Sequence, residues 1–475
     1  MPAARRYIVD RGLNEVHPGE ERELGVVMQG GQWNSTIRGM SELGLADVYG
    51  RTRVPLLVLN CLHPLVPDQL IEFMRGKRRI FVVEEGMPNF IERELAALAH
   101  DARLDVEIHG KDMLSPNGEY VPRLVIGGLA KFFSTSAPRT VPASGIAERY
   151  ARLVEHQERI TKVLAEPVAK RPPSFCTGCP ERPVFAAMKI LKTREPAVGD
   201  THVSHDIGCN TFSTQAPFHI GNSVLGYGMG LASNSAVAPL FGKRTMAIMG
   251  DGGFWHNGLT NGVANAVYNK QDAVFVILDN GYAAATGQHH VPSTGTNARG
   301  EALPTTIPAA LRGLGVQWIK TVESYRIPEM IGTLREALTT RAPGLKVIIA
   351  KGECMLERQR RERPRRRALI AAGRTVAQPR FGVDPDVCTG DHSCMRFNGC
   401  PSLTLRPSPD PLRTDPIAHV DETCVGCGVC GEVAHAAVLC PSFYEMKVVA
   451  NPGWWRRAIA AVRLAVIGRL AALTS

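Results

Sequence analysis

Two short apolar runs, each ending in an acidic turn, restrict the fold more than any other part of this 475-residue chain. The first run leads into Gly250-Asp251-Gly252 and the second into Asp279-Asn280. The 26 residues between the two turns suffice for one helical crossover between parallel strands. Because the carboxyl ends of such strands meet at a ligand-binding edge, Asp251 and Asn280 are predicted to lie close together there.

The residue types at this edge favour a magnesium–diphosphate site. Mg²⁺ prefers oxygen ligands and takes one or two from protein, with phosphates completing the octahedron. We expect Asp251, the Asn280 amide and the main-chain carbonyl of Tyr282 to supply them. Glycines in GYGMG (226–230) allow backbone to approach a diphosphate closely. The alternative is a pair of ordinary strand-ending turns. The predicted cofactor-binding residues are Gly226, Gly228, Gly250, Asp251, Gly252, Asn280 and Tyr282.

The rest of the chain divides by composition. Short Val- and Ile-rich runs alternate with helical segments from Leu24 onward, which indicates an α/β fold with open parallel sheets. The first 20 residues are polar, and no helix or strand is predicted there. The predicted segments are a linker (1–20), a first α/β domain (21–133), a connection (134–175), a second α/β domain (176–356), an arginine-rich linker (357–380), a cysteine-rich domain (381–449) and a basic amphipathic tail (450–475).

Seven of the twelve cysteines lie between residues 388 and 440, in two series. A C-x2-C-x2-C triplet and a later Cys-Pro are typical of two-cluster ferredoxins, in which the later cysteine binds the other cluster. A zinc site or free thiols are the alternatives, although zinc sites usually present two pairs. The predicted four-iron sets are Cys400, Cys424, Cys427 and Cys430, and Cys388, Asp391, Cys394 and Cys440. In the second set Asp391 stands where a cysteine is usual, and it is either a ligand or only a turn cap.

A third cluster is predicted next to the diphosphate site. Its ligands would be Cys176 and Cys179 of CTGC, Cys209, and Cys354, which follows an apolar run at 345–351. Two separate thiols and an incidental cysteine pair are the alternative. The remaining cysteine, Cys61, is predicted to be a buried core thiol.

These segments together resemble the large (alpha) subunit of the indolepyruvate ferredoxin oxidoreductases, within the 2-oxoacid:ferredoxin oxidoreductase family. The resemblance rests on RPPSFCTGCPERPVF, HVSHDIGC, GDGGFWHNGL and CVGCGVCGEVAHAAVLCPSF, in the family's order. It covers residues 7–449, because GRTRVPLLVLNCLHPLVPDQL also resembles the family's transketolase-C-terminal-like domain. The spacing of GDG and DN is similar to the thiamine-diphosphate signature, with Asp279 in place of an Asn.

The resemblance implies a fold, an activity and partners. The α/β domains would be transketolase-C-terminal-like and thiamine-diphosphate-binding, followed by a small ferredoxin-like domain. The implied reaction converts an aryl 2-oxo acid (indolepyruvate or phenylpyruvate) and coenzyme A into an aryl-acetyl-CoA, CO₂ and reduced ferredoxin. The cofactors would be thiamine diphosphate, Mg²⁺ and two or three 4Fe-4S clusters. The chain starts after the family's pyrimidine-binding domain, so the activating glutamate is not expected here, and no catalytic residue is assigned.

We therefore expect a small (beta) subunit and ferredoxin as partners, and a pyrimidine-binding domain that is supplied either by another chain or by a further segment, if this sequence is a fragment. Two other functions stay open, namely an iron–sulfur electron-transfer or scaffold subunit with a vestigial thiamine fold, and a non-oxidative thiamine decarboxylase. The cysteine sets disfavour the last of these.

Charge and hydropathy complete the predictions. The net charge is +10, and seven arginines lie within residues 358–367. We interpret that run as a solvated linker rather than a site for nucleic acid or an acidic partner. The N-terminus has no signal-peptide pattern, which predicts a cytoplasmic protein. Steps of three and four place Trp455, Ile459, Val462, Val466, Leu470 and Leu473 on one face of a C-terminal helix, for packing on a partner subunit or on a membrane surface.

Overall fold

The computed structural model describes residues 1–136, 143–164 and 173–474, and side chains as far as residue 470. By internal contacts the chain divides into two compact units, Met1–Lys170 and Arg171–Ser475. Within the described ranges, none of the helices has both the length and the apolar character needed to cross a bilayer. Parts of the predicted connection, and Leu473 of the predicted tail face, lie outside the described residues or side chains.

The first unit is built on a five-stranded sheet in the order β1-β3-β2-β4-β5. Strands β2 to β5 are parallel, as predicted, and nearly every residue of β2 to β4 is buried, as expected for a sheet covered on both faces. The strands are β1 (Glu15–His17), β2 (Leu24–Gln29), β3 (Leu56–Leu59), β4 (Arg79–Val83) and β5 (Glu107–His109). The helices are α1 (Pro2–Asp10), α2 (Trp33–Glu42), α3 (Pro67–Met74), α4 (Phe90–Asp101), α5 (Pro122–Ser136) and α6 (Ala143–Val163).

The prediction of an irregular linker over residues 1–20 is wrong. Helix α1 buries Ile8, and Arg5 donates a hydrogen bond from Nε to the carbonyl of Leu65. Strand β1 pairs antiparallel with β3, with Glu15 opposite Val58. The polar residues of β1 form a strand because the edge strand of the sheet supplies their backbone partners. Hydrophobic periodicity does not reveal such a tertiary effect. Cys61, predicted to be buried, is only half-buried, because it lies in the turn that leaves β3.

The second unit contains a six-stranded, wholly parallel sheet in the order β12-β13-β9-β8-β6-β7. Its central strands β8 and β9 are the two apolar runs of the sequence pattern, and Gly250 pairs with Leu278. The strands are β6 (Val203–His205), β7 (Ser223–Val224), β8 (Met246–Gly250), β9 (Val274–Asp279), β12 (Trp318–Glu323) and β13 (Lys346–Lys351). A separate antiparallel pair consists of β10 (Tyr282–Ala283) and β11 (His289–His290).

Helices cover both faces of this sheet. The crossover helix begins at Asp251 itself, directly after β8, and it includes a π-helical stretch. The helix can start this close to the sheet because the glycines after Asp251 have no Cβ. The helices are α7 (Arg182–Arg194), α8 (Pro196–Gly199), α9 (Gly230–Val237), α10 (Asp251–Gly253) continuing through the π-helix Phe254–Ala264 into α11 (Asn265–Tyr268), α12 (Ile307–Gly313) and α13 (Ile327–Thr339).

The arginine-rich and cysteine-rich segments complete the second unit. The predicted linker 357–380 is largely helical, because α14 continues through Pro364. Strand β14 begins before the predicted boundary at residue 381 and pairs antiparallel with β17. The elements are α14 (Met355–Ala371), β14 (Val376–Val383), α15 (Ser393–Asn398), β15 (Leu403–Arg406), β16 (Ile417–Val420), α16 (Val429–Val438), β17 (Phe443–Ala450) and α17 (Trp454–Thr474).

The tail is helical, as predicted, but its apolar surface is wider than one face. Leu464 and Ile467 are exposed together with the predicted Trp455, Val462 and Val466. Nothing within the described part of the chain covers them, and their role in binding a partner or a membrane stays a prediction.

Phe132 tests the packing of the first unit. Its ring is fully buried and packs against the rings of Phe81 and Phe133. We expect Phe132→Ala to lower the free energy of unfolding of this unit by about 3–5 kcal/mol in chemical denaturation, because the ring leaves a cavity. The control is Phe90→Ala, whose ring is 68% exposed and should cost about 0.5 kcal/mol or less. Equal losses in the two variants would contradict the proposed core.

Candidate cofactor and cysteine sites

The two turns of the sequence pattern meet at one cavity of about 570 Å³. The carboxylate of Asp251 accepts hydrogen bonds from the amides of Gly252 (2.9 Å) and Gly281 (2.8 Å), which ties the start of the helix to the loop after β9. The side chain of Asn280 accepts from the amide of Tyr282 at 3.1 Å. All of the predicted residues Gly250, Asp251, Gly252, Asn280 and Tyr282 line this cavity.

The two glycines predicted in the GYGMG segment do not lie where the sequence analysis expected them. Neither Gly226 nor Gly228 lines the cavity; Tyr227 between them does. The amide of Gly228 donates to Asp206 Oδ2 at 3.1 Å, so that this amide already has an acceptor. A Cβ on Gly228 would lie 1.9 Å from Asn257 Oδ1, so this glycine permits close packing of the loop on the helix.

Buried carboxylates give the cavity its electrostatic character. Burial raises the pKa of Asp206 to about 7, and burial, together with Asp206, raises that of Glu181 to about 7 despite a hydrogen bond from Asn280. Burial and then the Asp279 carboxylate raise the pKa of Asp251 well above its usual range, and burial also raises that of Asp279. Carboxylates brought this close without enough positive charge form a site that a divalent cation would stabilise.

These residues fit a magnesium–diphosphate group in donor type and in volume. Asp251, Asn280 and the Tyr282 carbonyl offer oxygen atoms at one side of the cavity. The volume lies within the usual range of cofactor pockets, about 300–1,000 Å³. Glu181 Oε2 is buried and has no hydrogen-bond partner among the described residues. A polar atom left in this way is expected where a ligand completes the site.

The four cysteines nearest this cavity lie together, as the sequence predicts. Cys176, Cys179, Cys209 and Cys354 line a second cavity of about 400 Å³, which shares Glu181, Cys209 and Asn280 with the first. Burial, then Glu181 and the other three thiols, raises the pKa of Cys209. The amide of Cys354 donates to the Asn280 carbonyl at 2.9 Å, so this cysteine is attached directly to the predicted cation loop.

The crossed pairing of the C-terminal cysteines is also reflected in the structure. One cavity is lined by Cys400, Cys424, Cys427 and Cys430. Burial raises the pKa of Cys394, and the neighbouring thiols of Cys440 and Cys388 raise it further. Cys440 is therefore a neighbour of Cys388 and Cys394, the other cysteines of the second predicted set. Asp391 lies near that group, but its carboxylate accepts hydrogen bonds from Thr389 and Ser393. These hydrogen bonds are those of a turn cap, and ligation of iron by Asp391 stays a prediction.

None of the twelve cysteines, all of which lie in the described ranges, forms a disulfide. Across the described ranges, no group of three or more His, Cys, Asp or Glu side chains is arranged to hold a metal ion. Ligation of iron by the three sets, and of Mg²⁺ by Asp251, Asn280 and Tyr282, therefore stays a prediction.

Two cysteine loops that are distant in sequence are in direct contact. Gly178 of CTGC has a φ of +73°, and a Cβ there would lie 2.4 Å from Val425 of CVGC. The hydroxyls of Thr177 and Ser402 are hydrogen-bonded at 3.2 Å. The set that borders the cofactor cavity is therefore adjacent to the set formed by Cys400, Cys424, Cys427 and Cys430.

The comparisons with known proteins agree with this site. Residues 206–349 match the family described as thiamine pyrophosphate enzyme, C-terminal TPP binding domain. The predicted resemblance is confirmed. The chain is 30% identical over 440 residues to indolepyruvate oxidoreductase subunit IorA of Methanothermobacter thermautotrophicus, covering 90% of this chain and 62% of the relative. It is 29% identical over 435 residues to the same subunit of Pyrococcus abyssi, covering 89% and 61%.

The chain thus spans about six-tenths of the length of the curated relatives that it matches. A solved 2-oxoglutarate:ferredoxin oxidoreductase from Magnetococcus marinus matches 39% of this chain and 66% of its own, with 13% identity and a TM-score of 0.33. The α/β fold with a thiamine-diphosphate-binding domain is confirmed. The ferredoxin-like character of the cysteine-rich segment stays a prediction.

Sequence reasoning missed three buried charged residues at these sites: Glu181, Arg182 and Asp206. The first two directly follow CTGCP, and Asp206 follows the short strand β6. The sequence contains no signal of their burial, since charged residues are almost never fully buried unless paired.

The buried acids predict an unusual pH dependence. Glu181 and Asp206 have folded-state pKa values of about 7, above the ordinary values of 4.5 and 3.8. The folded chain therefore binds these protons more tightly than the unfolded chain, and their stabilising contribution is lost between about pH 4 and pH 7. We expect the free energy of unfolding, without divalent cation, to fall from pH 5 to pH 8. Asp206→Asn should make the fall shallower, and a rise over this window would contradict the assignment.

Proposed function

We propose that this chain is the thiamine-diphosphate-binding, iron–sulfur subunit of a 2-oxoacid:ferredoxin oxidoreductase acting on aryl pyruvates. The overall reaction converts one indolepyruvate or phenylpyruvate, one coenzyme A and two oxidised ferredoxins into the aryl-acetyl-CoA, CO₂, one proton and two reduced ferredoxins. The observation that carries the proposal is the Asn280 loop, which joins the predicted cation site to Cys354 through the backbone hydrogen bond to Asn280.

Bound thiamine diphosphate supplies the carbon nucleophile that adds to a 2-oxo acid and holds the electron pair left when CO₂ departs. Asp251, Asn280 and the Tyr282 carbonyl would hold Mg²⁺ and through it the diphosphate. Glu181 accepts a hydrogen bond from Asn280 Nδ2 at 2.8 Å, which orients that amide. The indole of Trp255, which lines the cavity, donates a hydrogen bond to the Ser293 hydroxyl at 2.7 Å.

The three cysteine sets would hold the carriers that accept the electrons. Four-iron clusters supply one-electron carriers when bound by cysteine thiolates. Cys176, Cys179, Cys209 and Cys354 would hold the cluster nearest the cofactor. The contact of Gly178 with Val425 supports transfer from that set to Cys400, Cys424, Cys427 and Cys430. The third set would be Cys388, Cys394 and Cys440, with or without Asp391.

A substitution at Asp251 tests the cofactor site. Asp251→Asn keeps the shape and one acceptor oxygen but removes the charge that neutralises the cation. We therefore expect the affinity for thiamine diphosphate with Mg²⁺, measured by calorimetry, to fall on the order of tenfold or more. A tenfold fall corresponds to about 1.4 kcal/mol of binding free energy. Iron content should not change.

The matched control is Asp410→Asn, an exposed aspartate outside the cavity, which should bind the cofactor like wild type. Equal affinity in Asp251→Asn and wild type would contradict the assignment of the site. A wild-type chain that contains iron but binds no thiamine diphosphate in the complete assembly would favour the scaffold function instead.

The arginine-rich helix α14 favours an acidic protein as the electron acceptor. It lines a groove of about 970 Å³ that reaches Cys424 and Cys427 of the predicted cluster set. Guanidinium groups along such a groove attract anionic surfaces and accelerate their association. We propose ferredoxin as the occupant, in place of the solvated linker that the sequence suggested. The arginines of the groove are Arg358, Arg363, Arg365, Arg366, Arg367 and Arg380.

Charge reversal tests the groove. The double variant Arg363→Glu and Arg366→Glu should weaken binding of a purified acidic ferredoxin on the order of tenfold at low salt and flatten its salt dependence. The control is Arg299→Glu with Arg312→Glu, two exposed arginines outside the groove. Binding that is reduced equally in both double variants would show a general charge effect and would refute the groove as the docking site.

A further inference from the structure

Arg182 is the most unusual charged residue in the second unit. It is the first residue of α7, and none of its side chain is exposed. Its Nη1 donates to the side-chain oxygen of Asn398 at 3.0 Å and, at 3.4 Å, to the Asn398 carbonyl. Its Nε and Nη2 are buried and find no acceptor among the residues that the structure describes. It forms no ion pair with a carboxylate within those residues.

Four cysteine side chains lie in the same cavity as this guanidinium. Arg182 lines the cavity that contains Cys400, Cys424, Cys427 and Cys430. Burial opposes its charge, yet the thiolates of Cys400, Cys427, Cys179 and Cys430 hold the pKa of Arg182 above its ordinary value. The same charge lowers the pKa of the Cys427 thiol against the larger effect of burial.

An unpaired charge in such a place is unfavourable unless a negative group offsets it. A glutamine or methionine would fill this position without that cost. A four-iron cluster with four thiolate ligands is a net anion, and reduction adds one further negative charge. The two unpartnered donors of Arg182 therefore fit a cluster held by the four cysteines of this cavity in both charge and hydrogen-bonding type.

We propose that Arg182 is the counter-charge of the cluster at Cys400, Cys424, Cys427 and Cys430, and that it raises the reduction potential of this cluster. The proposal rests on the iron–sulfur content of the proposed function. A fixed positive charge in a low-dielectric site stabilises the reduced, more negative state more than the oxidised state. Arg182 is a potential-setting residue, since it acts through the cluster and not on substrate.

The position of Arg182 also gives electron transfer a direction. Arg182 lines the cavity of Cys400, Cys424, Cys427 and Cys430, and it does not line the cavity of the four cysteines next to the cofactor. Its charge therefore raises the potential of the cavity cluster more than that of the cofactor-proximal cluster. In the transfer step one electron moves: the proximal cluster is oxidised, the cavity cluster is reduced, and no bond or proton is exchanged.

The test is a redox titration of the full-length chain with its clusters, followed by electron paramagnetic resonance. The signal of the cavity cluster is assigned by its loss in Cys427→Ser. We expect Arg182→Gln to lower its midpoint potential by at least 59 mV, a tenfold change in a one-electron equilibrium. Arg182→Lys keeps the charge and should stay near wild type.

A second variant removes the effect without touching Arg182. Asn398 is fully buried, and its Nδ2 has no partner among the described residues, so Asn398→Asp sacrifices no hydrogen bond. The new carboxylate would pair with Arg182, cancel its charge and lower the same potential. This variant decides the question if Arg182→Gln does not fold. The control is Arg194→Gln, the same change at the other end of α7, where the side chain bonds the Ala437 carbonyl.

The outcomes separate the two levels of the proposal. A cavity-cluster signal whose midpoint is unchanged in both Arg182→Gln and Asn398→Asp refutes the role of Arg182 and leaves the proposed function intact. A wild-type chain that shows no cluster signal refutes both. An equal fall of the midpoint potential in Arg194→Gln also refutes the role of Arg182, because the effect would then come from net charge and not from this position.

Discussion

The loop that follows β9 connects the cofactor cavity with the cysteine sets. Its backbone donates from Gly281 to the Asp251 carboxylate, while the carbonyl of Asn280 accepts from the amide of Cys354. The Asn280 side chain adds the hydrogen bond to Glu181, two residues after Cys179. One tight turn thus determines where an acid, an amide and two cysteine-bearing segments lie, and a small displacement of it would move the predicted cation site and the predicted cluster site together.

The central part of this arrangement was predictable because it depends on local signals. Parallel strands β8 and β9 follow from two apolar runs, and the convergence of Asp251 and Asn280 follows from the geometry of parallel sheets. The cysteine sets were predictable from spacing and family resemblance, and the structure brings their members near each other. Helix α14 was not predicted, because the density of positive charge and Pro364 suggested a linker. Arginine is nevertheless a good helix former.

What the sequence could not reveal depends on contacts between distant segments. Strand β1 exists because the edge of β3 accepts it, and Glu15 and His17 show no strand pattern of their own. The burial of Glu181 and Arg182 depends on what packs over CTGCP, including Asn398 from a segment more than 200 residues away. Hydrophobic periodicity describes one element at a time, so a charged residue buried between two elements leaves no periodic trace.

The contact of Gly178 with Val425 indicates why the cysteine-rich segment lies within the second unit. Lys189 of α7 donates to the Arg396 carbonyl at 2.8 Å, and Arg182 donates to Asn398, so two positions on one helix are fastened to α15. Without that segment, a buried guanidinium and the CTGC loop would lose their cover. Electron transfer requires short distances between carriers, and a glycine with positive φ in CTGC achieves the closest approach of the two loops. The same packing that protects Arg182 from water therefore brings the two predicted cluster sites together, so that the stability of this interface and the proposed electron transfer would depend on the same contacts.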